Sequence, residues 1–168
     1  MEPIRRILAP TDLSELSKTG VRYAFDLAKA VGAEVTVYHV VNLEELIHYG
    51  EELKKGAAAG GMRQPSEDLL EEYKHALARF LNAHFSDLIP YVKIRERVEL
   101  GTPDKNIVEQ ATKEEADLIV ISTHGRTGLS HVLLGSVTEK VVRHAPCPVL
   151  SIRPEREGKT VERVSAAS

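Results

Sequence analysis

Five short runs rich in β-branched and aliphatic residues alternate with helical patterns along this chain, and no other feature of the sequence constrains its fold as strongly. Strands separated by helix-length segments pair in parallel, and the intervening helices cover the sheet on both faces. The predicted class is therefore α/β, a five-stranded parallel sheet. The first strand reads from Ile4 to Ala9 and is stopped by Pro10; Asp12 or Ser14 then offers a cap for a helix carrying Leu16, Val21, Ala24, Phe25 and Ala28, with Gly32 as its stop. The second strand is Glu34 to Val41. A long helix opens at Pro65-Ser66, with Leu69, Tyr73, Leu77, Phe80, Leu81 and His84 spaced by three and four.

Strand three, Val92 to Leu100, alternates apolar and charged residues and is expected near a sheet edge, whereas the run Asp117 to Ser122 is almost wholly apolar, as a strand buried on both faces should be. Thr102-Pro103 reads as an N-cap followed by proline at N1 of a short helix. After strand four, Gly125, Gly128 and Gly135 punctuate a loop, and Ser136 opens the last helix before a fifth strand from Val149 to Ile152. One domain is expected over residues 1–154, followed by a polar tail at 155–168 that is read as disordered. Residues 42–64 exceed an ordinary strand-to-helix loop. They read either as a surface insertion, with Leu43, Leu46, Ile47 and Leu53 packing one short helix, or as a lid over a site at the strand ends.

Composition removes several classes of function. With 22 lysines and arginines against 25 aspartates and glutamates, the net charge of −3 gives no global positive field to gather a polyanion, which disfavours a nucleic-acid binder. No apolar run approaches the roughly 18 residues of a membrane span, so the chain reads as soluble and cytoplasmic. The single cysteine, Cys147, lies between two prolines and reads as an inert buried thiol. None of the seven histidines forms a metal-binding helix pair; His39 falls within a strand and reads as structural, and only His124, in the glycine loop, is placed near a ligand.

In an open parallel sheet the ligand crevice lies at the carboxyl ends of the strands, where the strand order reverses. Five strands permit the order 2-1-3-4-5 or 3-2-1-4-5. Two strand ends stand out in composition: Pro10-Thr11-Asp12, and Ser122 onward through Gly125 and Arg126 to Gly135-Ser136-Val137-Thr138. Glycines before a helix start bearing hydroxyls suit an anion or phosphate chain, although the same residues also serve as a turn and cap. The pattern is neither a Walker loop nor a dinucleotide fingerprint. Asp12 suits a metal or a hydroxyl, or an N-cap.

Taken together, Ile7-Leu8-Ala9-Pro10-Thr11-Asp12-Leu13-Ser14, the strand end Tyr38-His39-Val40-Val41, Ala116 to Arg126, Leu134-Gly135-Ser136-Val137-Thr138, and Ala145-Pro146-Cys147-Pro148-Val149-Leu150 resemble the universal stress protein family over residues 3–153. The resemblance implies the 3-2-1-4-5 order of an adenine nucleotide alpha hydrolase-like, Rossmann-like sheet, a homodimer joined through the fifth strand at Val149, Leu150 and Ile152, and, in one branch of the family, ATP binding. That branch carries Gly-x-x-Gly-x9-Gly-Ser/Thr. Here the motif runs Ser122-Thr123-His124-Gly125, nine residues, then Gly135-Ser136, with Ser122 in place of the first glycine. The resemblance implies that Pro10, Thr11, Asp12 and Val40 border the nucleotide, with Val40 against adenine. It further implies that Gly125, Arg126, Gly135, Ser136, Val137 and Thr138 hold ribose and phosphates, and that Asp12 approaches a magnesium ion through water. Ser122 is expected either to crowd the nucleotide or to add a hydroxyl contact to it. Three functions follow as expectations: an ATP-dependent regulatory switch with at most slow hydrolysis, a nucleotide-independent dimeric interaction module, or a slow magnesium-dependent ATPase.

Overall fold

The computed structural model describes residues 2–55, 64–124 and 134–154. Its elements are β1 (Arg6–Pro10), α1 (Lys18–Val31), β2 (Glu34–Val41), α2 (Leu43–Lys55), α3 (Pro65–Phe85), β3 (Lys93–Leu100), α4 (Pro103–Lys113), β4 (Leu118–Ser122), α5 (Ser136–His144) and β5 (Val149–Ile152). All neighbouring strands pair in parallel, in the order β3-β2-β1-β4-β5. Of the two orders left open by the residues alone, this is the one in which the chain leaves β1 on one side, builds β2 and β3, then returns to β1's other edge as β4. The reversal point therefore lies at β1. Among the described residues no helix is long and apolar enough to cross a membrane.

Because successive strand side chains point to opposite faces, each central strand feeds two separate cores. Ile7, Ala9, Val35, Val37, Leu118 and Val120 pack with Val21, Phe25, Leu77, Leu81 and Phe85 of α1 and α3. Leu8, Tyr38, Val40, Ile119 and Ile121 point the other way, to Ile107 and Ala111 of α4 and Val141 of α5. Phe25 and Phe85 lock the first core edge to face, with ring centroids 5.3 Å apart. β4 is buried throughout, as its apolar run requires. At the outer edge, β3 carries Lys93 and Arg95, both paired with Glu34 of β2.

β1 includes Pro10, which the sequence reading took as its stop, β3 begins at Lys93 instead of Val92, and three further starts differ for local reasons. β1 begins at Arg6, and Asp117 stands just before β4 because its carboxylate Oδ2 accepts the amides of Arg5 (2.9 Å) and Arg6 (2.8 Å). α1 begins at Lys18 with Ser17 at the N-cap position, so neither Asp12 nor Ser14 caps it; the Asp12 carboxylate instead accepts the Ser14 amide at 3.0 Å. The insertion holds a 13-residue helix, α2, with no buried residue; Leu43 and Ile47 are 64% and 56% exposed. Its glycine-rich part, Gly56 to Gly61, lies outside the described residues, as does the tail from residue 155.

Asp117 joins the start of β1 to the start of β4, and the backbone amides of Arg5 and Arg6 hold its carboxyl below the usual carboxylate range. A depressed folded value contributes stability above the unfolded pKa, about 3.9, and that stability is lost as pH falls through the folded value. Asp117→Ala is expected to lower the urea midpoint at pH 7, with the gap to wild type narrowing by pH 3. Equal midpoints at pH 7 would show that this clamp does not stabilise the sheet.

Candidate functional site

At the carboxyl ends of β1, β2 and β4 the structure opens a cleft of about 300 Å³, the low end of the size range of small-molecule sites. Every described candidate residue lines it: Pro10 at the end of β1 with Thr11 and Asp12 just after it, Val40 at the end of β2, Ser122 at the end of β4, and Gly135, Ser136, Val137 and Thr138 at the start of α5. Gly125 and Arg126 lie outside the described residues. The sequence reading missed Ser17, Tyr38, Asn42, Glu45, Pro103, Ile107 and Ile121, which also line the cleft. Tyr38 was accessible by strand period from Val40, and Ile107 by helix spacing from Pro103. Asn42 and Glu45 carried no such signal, since they sit in the insertion.

The lining divides by chemistry. Pro10, Tyr38, Val40, Ile107 and Ile121 form an apolar slot on the α4 face of the sheet. The Tyr38 hydroxyl donates to Glu99 Oε2 at 2.8 Å, and burial together with that bond pushes its phenol well above the ordinary range, so it stays neutral. Beyond the slot begins α5, whose first-turn amides have no partner within the helix and form its positive end. Gly135 holds this end against the sheet. Its amide donates to the Thr123 carbonyl at 2.7 Å, and a Cβ at this position would stand 3.0 Å from that same oxygen. The Thr138 hydroxyl, expected to face a phosphate, is buried and donates to the Ser122 carbonyl at 2.9 Å. It anchors α5 to β4, while Ser136 remains exposed at the mouth.

Asp12 is set by a tight loop. The Thr11 hydroxyl accepts the Leu13 amide at 3.0 Å and lies 2.8 Å from the Ser17 hydroxyl, which itself donates to the Ser14 carbonyl. With the Ser17 proton so committed, Thr11 is the donor between the two hydroxyls. Between them Leu13 adopts φ +63°, a left-handed conformation costing a leucine roughly 1–2 kcal/mol. Its side chain packs against the α1 core, which holds the turn in place. His39 is structural, as its strand position suggested: Nδ1 lies 2.8 Å from the Thr11 carbonyl, so that nitrogen carries the proton, and the ring stacks on Tyr73. His124 Nδ1 bonds the Thr123 hydroxyl at 2.8 Å. Cys147 is half-buried rather than buried as the sequence suggested, and the burial it has pushes its thiol up.

The Ser122 hydroxyl is engaged within the fold. Strand alternation puts its side chain on the face of Leu118 and Val120, toward α1 and away from the apolar slot. Its hydroxyl accepts the Gly20 amide at 2.9 Å and donates to the Ser17 carbonyl at 3.3 Å. Ser17 makes no capping bond to α1 from its own side chain, so Ser122 caps that helix from the neighbouring strand. The approach is close enough that a Cβ on Gly20 would stand 2.8 Å from both Ser122 N and Oγ.

The profile described as the Universal stress protein family matches residues 3–153. Universal stress protein MJ0531 of Methanocaldococcus jannaschii is 36% identical over 156 residues, covering 91% of this chain and 85% of that protein. Universal stress protein MJ0577 of the same organism is 30% identical over 156 residues, covering 89% of this chain and 94% of its own. A solved structure of MJ0577 superposes with a TM-score of 0.72 at 27% identity, covering 92% and 99% of the two chains. Universal stress protein UspA from Lactobacillus plantarum gives 0.63 at 26% identity, covering 91% and 100%.

The Ser122 contacts set the expected behaviour of that position. Ser122→Gly leaves a buried helix amide without its acceptor and is expected to cost about 1–3 kcal/mol. Gly20→Ala forces a methyl group into the strand backbone, at a cost of about 1–3 kcal/mol. Urea titration of both variants measures this, and wild-type stability in both would refute the cap.

Proposed function

The chain belongs to the universal stress protein family, and from that premise we propose that it binds ATP in the cleft and acts in the cytoplasm as a nucleotide-dependent regulatory switch. The observation supporting this most strongly is the composition of the cleft: its apolar lining lies beside the start of α5, a helix end suited to phosphate. Val40, Pro10, Tyr38 and Ile107 flank the base, Thr11 and Asp12 the ribose, and the amides of Ser136, Val137 and Thr138 the phosphates. Magnesium fits as an ion carried mainly by the phosphates. Among the described residues no group of three or more His, Cys, Asp or Glu side chains is arranged to hold a metal, and Mg²⁺ commonly keeps several waters while using only one or two carboxylates. Asp12 is the carboxylate it would reach, through water.

At most slow hydrolysis accompanies this reading. The titratable residues among the described lining are Asp12, Tyr38, His39 and Glu45, and two of them are spent on structural bonds, His39 on the Thr11 carbonyl and Tyr38 on Glu99. The alternative, a nucleotide-independent module marked by Ser122, loses its main support because the Ser122 hydroxyl is engaged with α1.

We further propose a homodimer through β5. This edge strand reads Val149-Leu150-Ser151-Ile152 with no charge, and its outer backbone groups suit pairing with a second copy across a two-fold axis. β3, the other edge, carries five charged residues in eight, Lys93, Arg95, Glu96, Arg97 and Glu99, which discourage such pairing.

Two measurements test these proposals. At ATP·Mg 100-fold above its dissociation constant, binding stabilises by about 2.7 kcal/mol, equivalent to a rise of about 5 to 11 °C in Tm for a chain of this length. Gly135→Val, which pushes α5 off Thr123, is expected to abolish that rise. A Tm unmoved by millimolar ATP contradicts nucleotide binding. Light scattering is expected to give about twice the 18.6 kDa chain mass. Leu150→Lys should shift it toward monomer by burying an unpaired charge, whereas a monomeric wild type would refute the dimer.

A further inference from the structure

We infer that Asn106 is a positioning residue for base binding: it latches the start of α4 to the ends of β2 and β3, and so sets the side of the cleft against which the base packs. This rests on the nucleotide reading above and assigns a role to a side chain that does not itself line the cleft. Pro103 and Ile107, four residues apart on α4, line it together with Tyr38 of β2. Thr102, at the N-cap position of α4, makes no side-chain capping bond. Asn106 acts in its place from one turn further along. Its Oδ1 accepts the Thr102 amide at 3.0 Å, and its Nδ2 donates to the Leu100 carbonyl at the end of β3 at 3.3 Å.

Gly101 lies between the two bonded residues with φ +154°, a conformation that a residue with a Cβ rarely adopts, and a Cβ there would run into the Asn106 side-chain amide. The Gly101 amide donates to the Val41 carbonyl at 2.9 Å, so the same turn is fixed to the end of β2. The Asn106 side chain also bonds the Tyr38 hydroxyl, whose proton goes to Glu99 at 2.8 Å. One half-buried side chain thereby holds Tyr38 directly and, through the turn, Pro103 and Ile107. All three lie on the base side. α4 also meets α5 through Asp104 and Lys140 at 4.0 Å, but the first turn of α5 has its own anchors on the sheet. These are the Gly135 amide on the Thr123 carbonyl and the Thr138 hydroxyl on the Ser122 carbonyl. Releasing the latch therefore adds an ordering cost where the base binds and leaves the phosphate end as it was.

The test is calorimetric titration of the full chain with ATP·Mg and ADP·Mg, which share the base and differ in their phosphates. Asn106→Ala is expected to weaken both by the same factor, about tenfold, as one side of the site must now be ordered during binding. Gly101→Ala, which keeps Asn106 but displaces its amide, should give the same equal loss. Asn106→Asp keeps the acceptor for the Thr102 amide and should lose less. Leu81→Val, in the core on the opposite face of the sheet, is the control: it lowers Tm and should leave both affinities unchanged. Tm in the absence of nucleotide checks that each variant is folded, and Asn106→Asp carries the test if alanine there unfolds the chain. Wild-type affinity in the folded Asn106 variants, a loss several-fold larger for ATP than for ADP, or an equal loss in Leu81→Val overturns this inference while leaving nucleotide binding standing. A wild type that binds neither nucleotide overturns both.

Discussion

The rest of the structure depends on the parallel pairing of β1 with β2 along one edge and with β4 along the other. Ile7 faces Val35 on one side and Leu118 on the other; Leu8 likewise faces Thr36 and Ile119. Since the chain reverses direction across the sheet at this strand, the connections leaving β1 and β4 go to opposite layers, α1 on one face and α5 on the other. Among the described residues no helix crosses the gap between their starts. The cleft is thus a consequence of topology before any side chain is chosen, and the residues there inherit their roles from which layer they must hold.

Ser122 shows how that inheritance works. Its hydroxyl accepts the Gly20 amide of α1, and its carbonyl accepts the Thr138 hydroxyl of α5. One residue at the end of β4 therefore fixes the starts of two helices on opposite faces. A glycine here would keep the second bond, which uses the main chain, and lose the first. Gly20 is the complementary adjustment on α1, since only a residue without a Cβ lets the helix come close enough to use the strand's hydroxyl. Departure from the family motif at one position is matched by a local fit at another, far away in sequence.

The fold was legible from the sequence because strand composition reports burial: β4, continuously apolar, is buried throughout, while β3, interspersed with charges, has no buried residue and lies at the edge. The positions of the site residues were legible from topology and from motif spacing. Side-chain direction was not. The hydroxyls of Thr138 and Ser122, at a helix start and a strand end, are chemically suited to phosphate, and the structure shows both satisfying buried backbone groups. A motif records where residues sit along the chain, whereas the partner of a hydroxyl is decided by which layer packs within 3 Å of it. Asn42 and Glu45 were hidden for a related reason: they belong to an insertion whose path over the cleft no periodicity encodes.

These commitments have a consequence for how the cleft can bind anything. With the hydroxyls of Thr11, Ser17, Ser122 and Thr138 occupied by internal bonds, much of the polar recognition left to the described lining comes from main-chain amides at the start of α5. Amides at a helix start are fixed by the helix itself, and Asp12 is fixed by the turn around Leu13, so neither must be ordered when a ligand arrives. Part of the ordering cost is then met during folding, including the roughly 1–2 kcal/mol held in the left-handed Leu13. A site of this kind gains affinity from preorganisation and offers few mobile groups to move protons, which accords with the nucleotide-holding role proposed above.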